Sequence, residues 1–119
     1  MGMKVGAHFP MRQVGLDFSR VRDYVQGVED LGCHHIRFGE HVLGVDWRRR
    51  DSDSGLYDHR DAWHEPLIMM GWMSNFTSKL EFATATLTLP QRQTALVAKQ
   101  AAQVDHLLGG RMRLGVGVG

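Results

Sequence analysis

Glu40 and His41 stand side by side where an apolar run ends, and they are the pair best suited to proton chemistry. Imidazole titrates near neutrality and can give or take a proton, while a neighbouring carboxylate can fix its tautomer. The competing reading is a strand-end histidine bonded to a backbone carbonyl. His8 closes an earlier apolar run, and with His41 it raises the reading of a metal hydrolase. A metal wants three or more ligands, and the later apolar runs bring no His, Cys, Asp or Glu to their carboxyl ends, so no metal site is expected. Cys33, the single cysteine, has nothing beside it to lower its pKa and reads as a small packing residue.

Three further clusters carry alternatives. Trp47, Tyr57 and Trp63 lie in one long polar segment, residues 42–64, and either wall a binding cleft or anchor the loop. Arg48-Arg49-Arg50 sits among Asp46, Asp51 and Asp53, so its charge is offset locally; a solvated loop face is expected, with attraction of an anionic ligand as the minority reading. Gly115, Gly117 and Gly119 alternate with valines and resemble the start of a dinucleotide fingerprint, but no helix follows to complete one. Glycines at that spacing make room on one strand face, for a neighbouring side chain or for a flat cofactor.

The elements that must position these residues alternate regularly. Strands are expected at residues 4–9, 35–39, 80–89 and 111–118, the last as a buried strand in which Met112, Leu114, Val116 and Val118 alternate. Between them come three helices. The first is capped by Asp17, carries Phe18, Val21, Val25, Val28 and Leu31 at helical spacing, and stops at Gly32. The second starts at Pro66, runs over 67–76, and uses Met69, Met70, Trp72 and Met73 for core packing. The third spans 94–108, with Val97, Ala101, Val104 and Leu108 on one stripe and Gly109-Gly110 as its stop. Helical connections between successive strands force parallel pairing with right-handed crossovers. An α/β architecture follows, either a small open sheet or the first four strands and three helices of a TIM-type (β/α)8 barrel. In such architectures ligands bind beyond the carboxyl ends of the strands, where Glu40, His41 and His8 fall.

Composition narrows the class. A chain of 119 residues makes one domain, spanning 1–119. Fourteen basic against 13 acidic residues leave a net charge of +1, which makes no general case for nucleic acid or membrane surfaces as partners. No apolar run approaches the roughly 20 residues that span a bilayer, and no leader opens the chain. With one cysteine, a reducing cytoplasmic location is expected.

The stretch Thr84-Ala-Thr-Leu-Thr-Leu-Pro-Gln-Arg92, then Ala98-Lys-Gln-Ala-Ala102, Asp105 and Gly109-Gly-Arg111 leading into Leu114-Gly-Val-Gly117, resembles the bacterial-luciferase-like monooxygenase family. Gly39-Glu-His41 and Trp63-His-Glu-Pro-Leu67 resemble it too, in order and at the family's spacing, over nearly the whole chain. Leu-Pro-Gln-Arg and the glycine-valine strand are most similar to the branch that uses the deazaflavin coenzyme F-420. The resemblance implies the N-terminal half of an eight-stranded barrel that binds a reduced flavin or deazaflavin at its strand ends. It implies a non-prolyl cis peptide between Ala85 and Thr86 behind the ring, His41 beside ring or substrate with Glu40 adjacent, and Gly117 where the fourth strand nears the ring. His8 is a further cofactor contact from the same rim, and Trp47 and Trp63 are the expected substrate contacts. The implied activity is hydride transfer from reduced coenzyme F-420 to a small organic substrate. The alternative cofactor is FMN, serving an oxygen-dependent monooxygenase. A third possibility is a non-catalytic half-barrel. Its open first and fourth strands would favour a homodimer or higher oligomer.

Overall fold

The computed structural model describes residues 2–49 and 57–119, so Arg50, Asp51 and Asp53 of the charged loop lie outside the described residues. In chain order the elements are β1 (Gly6–His8), α1 (Met11–Val14), α2 (Phe18–Asp30), β2 (His35–Phe38), α3 (Pro66–Met73), β3 (Glu81–Thr84), β4 (Leu87–Thr88), α4 (Thr94–Leu107), β5 (Met112–Arg113) and β6 (Val116–Gly117). β1, β2, β3 and β5 form a parallel sheet in that order, and β4 pairs with β6 in a second short parallel ladder. α1 and α2 connect β1 to β2, α3 connects β2 to β3, and α4 connects β4 to β5, as parallel pairing of successive strands requires.

Local chemistry starts and stops the three long helices. The Asp17 carboxylate accepts from the Ser19 and Arg20 amides, Glu65 accepts from Ile68, and Gln93 accepts from Leu96. Gly32 and Gly109 follow the helix ends with φ of 78° and 64°, a backbone conformation that side chains disfavour. Val21, Val25 and Val28 of α2 are buried as expected, but Phe18 and Leu31 are exposed, since they fall at the two ends of the helix. Met69, Met70 and Met73 are buried in the core, as their helical crowding predicts.

The core lies between the sheet and this helical layer. Phe9, Ile36, Phe38 and Phe82 are fully buried on the covered face. Phe9 stacks on Phe38 with ring centroids 4.7 Å apart, and Phe38 on Phe82 at 5.9 Å, so one aromatic column crosses three strands. Cys33 packs against the same core. The alternate residues point to the uncovered face. There His8 registers with Arg37 and Ala83 with Arg113, and Glu81 pairs with Lys4 and Arg113.

Two expected strands prove to be broken. Residues 80–89 divide into β3 and β4 at the Ala85–Thr86 peptide, which is cis. Residues 111–118 divide into β5 and β6 at Leu114 and Gly115. The breaks face one another: the Thr84 hydroxyl donates to the Gly115 carbonyl at 2.7 Å and accepts from the Gly115 amide at 2.9 Å, replacing backbone rungs. The glycines let this happen. A Cβ on Gly115 would lie 2.2 Å from the Thr84 carbonyl oxygen, and one on Gly117 would lie 2.5 Å from Thr86 Oγ1. The room they leave is therefore filled by threonines of the neighbouring strand. The fourth strand is also not buried: Val116 and Val118 are 48% and 84% exposed, because among the described residues nothing pairs with or covers its outer flank. The short helix α1, a single turn after Pro10, has no counterpart in the sequence reading. Among the described residues no helix is long and apolar enough to cross a membrane.

Candidate functional site

β2 delivers Gly39, Glu40 and His41 to the carboxyl edge of the sheet. The Glu40 side chain is only 1% exposed. A buried carboxylate must be paired and bonded to remain charged. Glu40 meets that demand through Oε2, which accepts from the Thr88 amide, and Oε1, which accepts from the Arg92 guanidinium. The same Arg92 nitrogen donates to Glu65 Oε1 at 2.7 Å, while Glu65 Oε2 accepts from the Ile68 amide at 2.6 Å to cap α3. One guanidinium thus joins the end of β2, the turn after β4 and the start of α3. Burial alone would lower the Arg92 pKa, but its bonds to Glu40 and Glu65 outweigh this and raise it. It remains a cation at any ordinary pH.

His41 lies in an aromatic cleft. Its ring is 4.2 Å from that of Tyr57 and 4.4 Å, edge-on, from that of Trp63. Burial lowers its pKa below the ordinary histidine value and outweighs the upward pull of Glu40. Glu40 does not act as the hydrogen-bonded tautomer partner of His41; its carboxylate is turned to Thr88 and Arg92. A cavity of about 360 Å³ opens beside the pair, lined by Glu40, His41, Trp63, Glu65, Arg92 and Gln100 among others. Trp63 Nε1 and Arg92 Nε are buried without a hydrogen-bond partner. A neutral imidazole, unsatisfied donors nearby and an aromatic wall suit a small organic ligand that carries hydrogen-bond acceptors.

The structure gathers Glu40, His41 and Trp63 around this cavity. Ala85, Thr86 and Gly117 lie on the neighbouring strand ends, linked to it through the bond from Thr88 to Glu40. His8 is apart, on the uncovered sheet face, where burial and then Arg37 lower its pKa. Trp47 does not line the cavity; its indole donates to the Tyr57 carbonyl at 2.6 Å and so anchors the loop that carries Tyr57 to His41. The arginine run behaves at Arg48 as expected, with its guanidinium 2.9 Å from Asp46. Among the described residues no group of three or more His, Cys, Asp or Glu could hold a metal.

Arg92 and Glu65 are the functional-site residues that motif reasoning left without a role. Both stand inside quoted motifs, at the entries to α4 and α3, but their neighbours in sequence carry no signal of the partners they meet.

A family profile described as luciferase-like monooxygenase matches residues 2–119. The 4-hydroxyprotoasukamycin monooxygenase of Streptomyces nodosus subsp. asukaensis is 27% identical over 108 residues, which cover 88% of this chain and 24% of that protein. Among solved structures, the oxygenating constituent of 3,6-diketocamphane monooxygenase from Pseudomonas putida, in complex with FMN, superposes with a TM-score of 0.72 at 20% identity. That likeness covers 99% of this chain and 30% of the other. The coenzyme F-420-dependent tetrahydromethanopterin reductase of Methanopyrus kandleri superposes with a TM-score of 0.70 at 16% identity, covering 100% of this chain and 28% of that one. The chain therefore spans about a quarter to a third of the length of these proteins.

Proposed function

The chain belongs to the luciferase-like monooxygenase family, and on that premise we propose that it forms the first part of a (β/α)8 barrel whose strand ends bind reduced coenzyme F-420. Its parallel sheet and helices are part of that family's fold. When bound, the deazaflavin supplies a hydride for an organic substrate; the protein orients the partners and keeps water out. His41, neutral near pH 7, holds or passes a proton at a ring nitrogen, and Trp63 forms the wall against which substrate rests. Ala85, Thr86 and Gly117 offer the flat ring small or hydroxyl-bearing groups at the strand ends, with His8 on the uncovered face below. Trp47 acts on substrate only by holding Tyr57 in place.

The observation that carries this reading is the convergence of His41, Trp63 and a buried ion pair on one cavity at the carboxyl edge of a sheet matched by the family from residue 2 to residue 119. The residues present fit the ring better than a phosphate tail. Three arginines of the adjoining loops are already held by carboxylates: Arg92 by Glu40 and Glu65, Arg48 by Asp46, and Arg60 by Asp58. Deazaflavin is favoured by Leu89-Pro-Gln-Arg92 and the Gly115–Gly119 alternation. The second reading, an FMN-dependent monooxygenase, is supported by the 27% identical monooxygenase relative.

Oxygen separates the two. Fluorescence titration of the chain with coenzyme F-420 and with FMN is expected to show tighter binding of the deazaflavin, and substrate-dependent oxidation of its reduced form is expected without oxygen. Binding of FMN alone, with an absolute oxygen requirement, overturns the deazaflavin reading. The flanks of β1 and β5 are open among the described residues, which supports self-assembly. A monodisperse folded monomer in light scattering would rule that assembly out.

A further inference from the structure

Arg48, Arg60 and Arg92 each sit on a carboxylate, and Arg111 donates to three backbone carbonyls. Arg37 differs from them. It stands within β2 on the uncovered sheet face, exposed, and among the described residues no carboxylate pairs with it. The parallel register sets it in one row with three other residues: His8, Arg37, Ala83 and Arg113 stand side by side on β1, β2, β3 and β5. Side chains of one row point to the same face, so Arg37 and Arg113 flank Ala83 with their Cα atoms two strand spacings, about 10 Å, apart. Ala83 contributes only a methyl group, which leaves room between the two guanidinium forks. His8, beyond Arg37, adds no fixed charge, since burial and then Arg37 lower its pKa.

Glu81 is the one carboxylate that β1, β2, β3 and β5 carry, and it pairs with Lys4 at 3.0 Å and with Arg113. A guanidinium has five N–H donors, so Arg113 keeps donors for a further acceptor. Three cations, Lys4, Arg37 and Arg113, thus meet one carboxylate on this face, a formal excess of two positive charges. A second copy laid face to face would set like charges against one another, which argues against self-pairing here. We propose that Arg37 and Arg113, across Ala83, form a binding site for an oxyanion, the phosphate or carboxylate group of a small ligand. Two planar forks on either side of one anion suit bidentate recognition. The site is distinct from the cavity beside His41, whose lining includes neither arginine, and it does not depend on the choice between deazaflavin and FMN. Covering this face, as a closed barrel does, increases the need for the anion, because a buried cation left alone is costly.

The test is an NMR titration of the 119-residue chain with inorganic phosphate at constant ionic strength, followed at the backbone amides of Arg37, Ala83 and Arg113. Saturable shifts centred on this row are expected. Arg37→Gln and Arg113→Gln are each expected to weaken the apparent affinity about tenfold, the worth of one charge-assisted contact. Arg37→Lys is expected to fall between, keeping the charge and losing the fork. Ala83→Leu fills the gap without changing charge and is expected to abolish saturation. Arg22→Gln removes the same charge from an exposed position of α2 and is expected to leave the affinity within about twofold. No saturable shift in the row, or equal weakening by Arg37→Gln and Arg22→Gln, overturns the proposal. A short polyglutamate peptide is titrated in parallel. If the peptide shifts the row and phosphate does not, the face takes the carboxylates of a polypeptide and the small-ligand site is overturned. Arg37 is exposed, so its substitution is expected to leave the fold intact. Should either Arg37→Gln or Ala83→Leu fail to fold, the other decides.

Discussion

The two ends of the parallel sheet are tied by the same kinds of residue in opposite ways. At the amino end, Glu29 of α2 accepts from three consecutive amides, Ser78, Lys79 and Leu80, at 2.9, 2.5 and 2.9 Å. Beside it Arg111 donates to the carbonyls of Leu108, Leu80 and Thr77. Both charges are spent on backbone, which can neither titrate nor be substituted away. At the carboxyl end, Glu40, Arg92 and Glu65 spend theirs mainly on one another, and Arg92 Nε and Trp63 Nε1 are left over beside a cavity. At the amino end Glu29 and Arg111 are satisfied through the main chain. The other end keeps adjustable charge next to a titratable ring, and that is the end where parallel β/α folds place their chemistry.

The contrast can be broken most forcefully at Arg92. Arg92→Met leaves Glu40 buried and uncompensated, and is expected to cost about 3 kcal/mol in urea unfolding, the lower part of the range for breaking a buried pair. Glu29→Ala strands three amides near the surface and is expected to cost about 2 kcal/mol. The difference should lie in rescue. Adding Glu40→Gln to Arg92→Met is expected to recover about 1 kcal/mol, since the charge left behind is removed, and a double-mutant cycle reads this directly. Arg111 keeps its three carbonyl partners when Glu29 is removed, so no second substitution is expected to rescue Glu29→Ala. Additive losses at the Arg92 pair would erase the distinction between the two ends.

The smallest effect is in acid. Burial by itself would raise the Glu29 pKa, but its three amide bonds and Arg111 outweigh this and lower it in the folded chain. A carboxylate with a depressed folded pKa stabilises the protein above its unfolded value of about 4.5, and that contribution is lost as pH falls through the depressed value. Stability of the wild type is therefore expected to fall below pH 4.5, and Glu29→Gln to flatten that part of the profile. An unchanged slope would mean that Glu29 is not the group being protonated.

Much of this molecule is local and was legible residue by residue. Asp17, Pro66, Gly32 and Gly109 punctuate the helices because caps and positive-φ stops depend on neighbours within a turn. Val21, Val25 and Val28, and the alternation around Ile36 and Phe38, announce their faces because helical and strand periods are properties of the backbone. The motif resemblance located the cis peptide at Ala85–Thr86 and placed His41 and Trp63 on one rim.

Other features have no local signal. Nothing near Arg92 says that it will meet Glu40, 52 residues earlier, and Glu65, 27 residues earlier. Nothing near Gly117 says that Thr86, not open space, will fill its missing side chain. Strand period and composition ran unbroken through residues 80–89 and 111–118, yet both strands break where a hydroxyl on one replaces the rungs of the other. Propensity and patterning act over a few residues, and they specified the elements, their order and which residues reach the carboxyl edge. Charge pairing and close approach act through space, so the partner of each charge, and the burial that lowers the His41 pKa, were settled only when folding brought distant segments into contact.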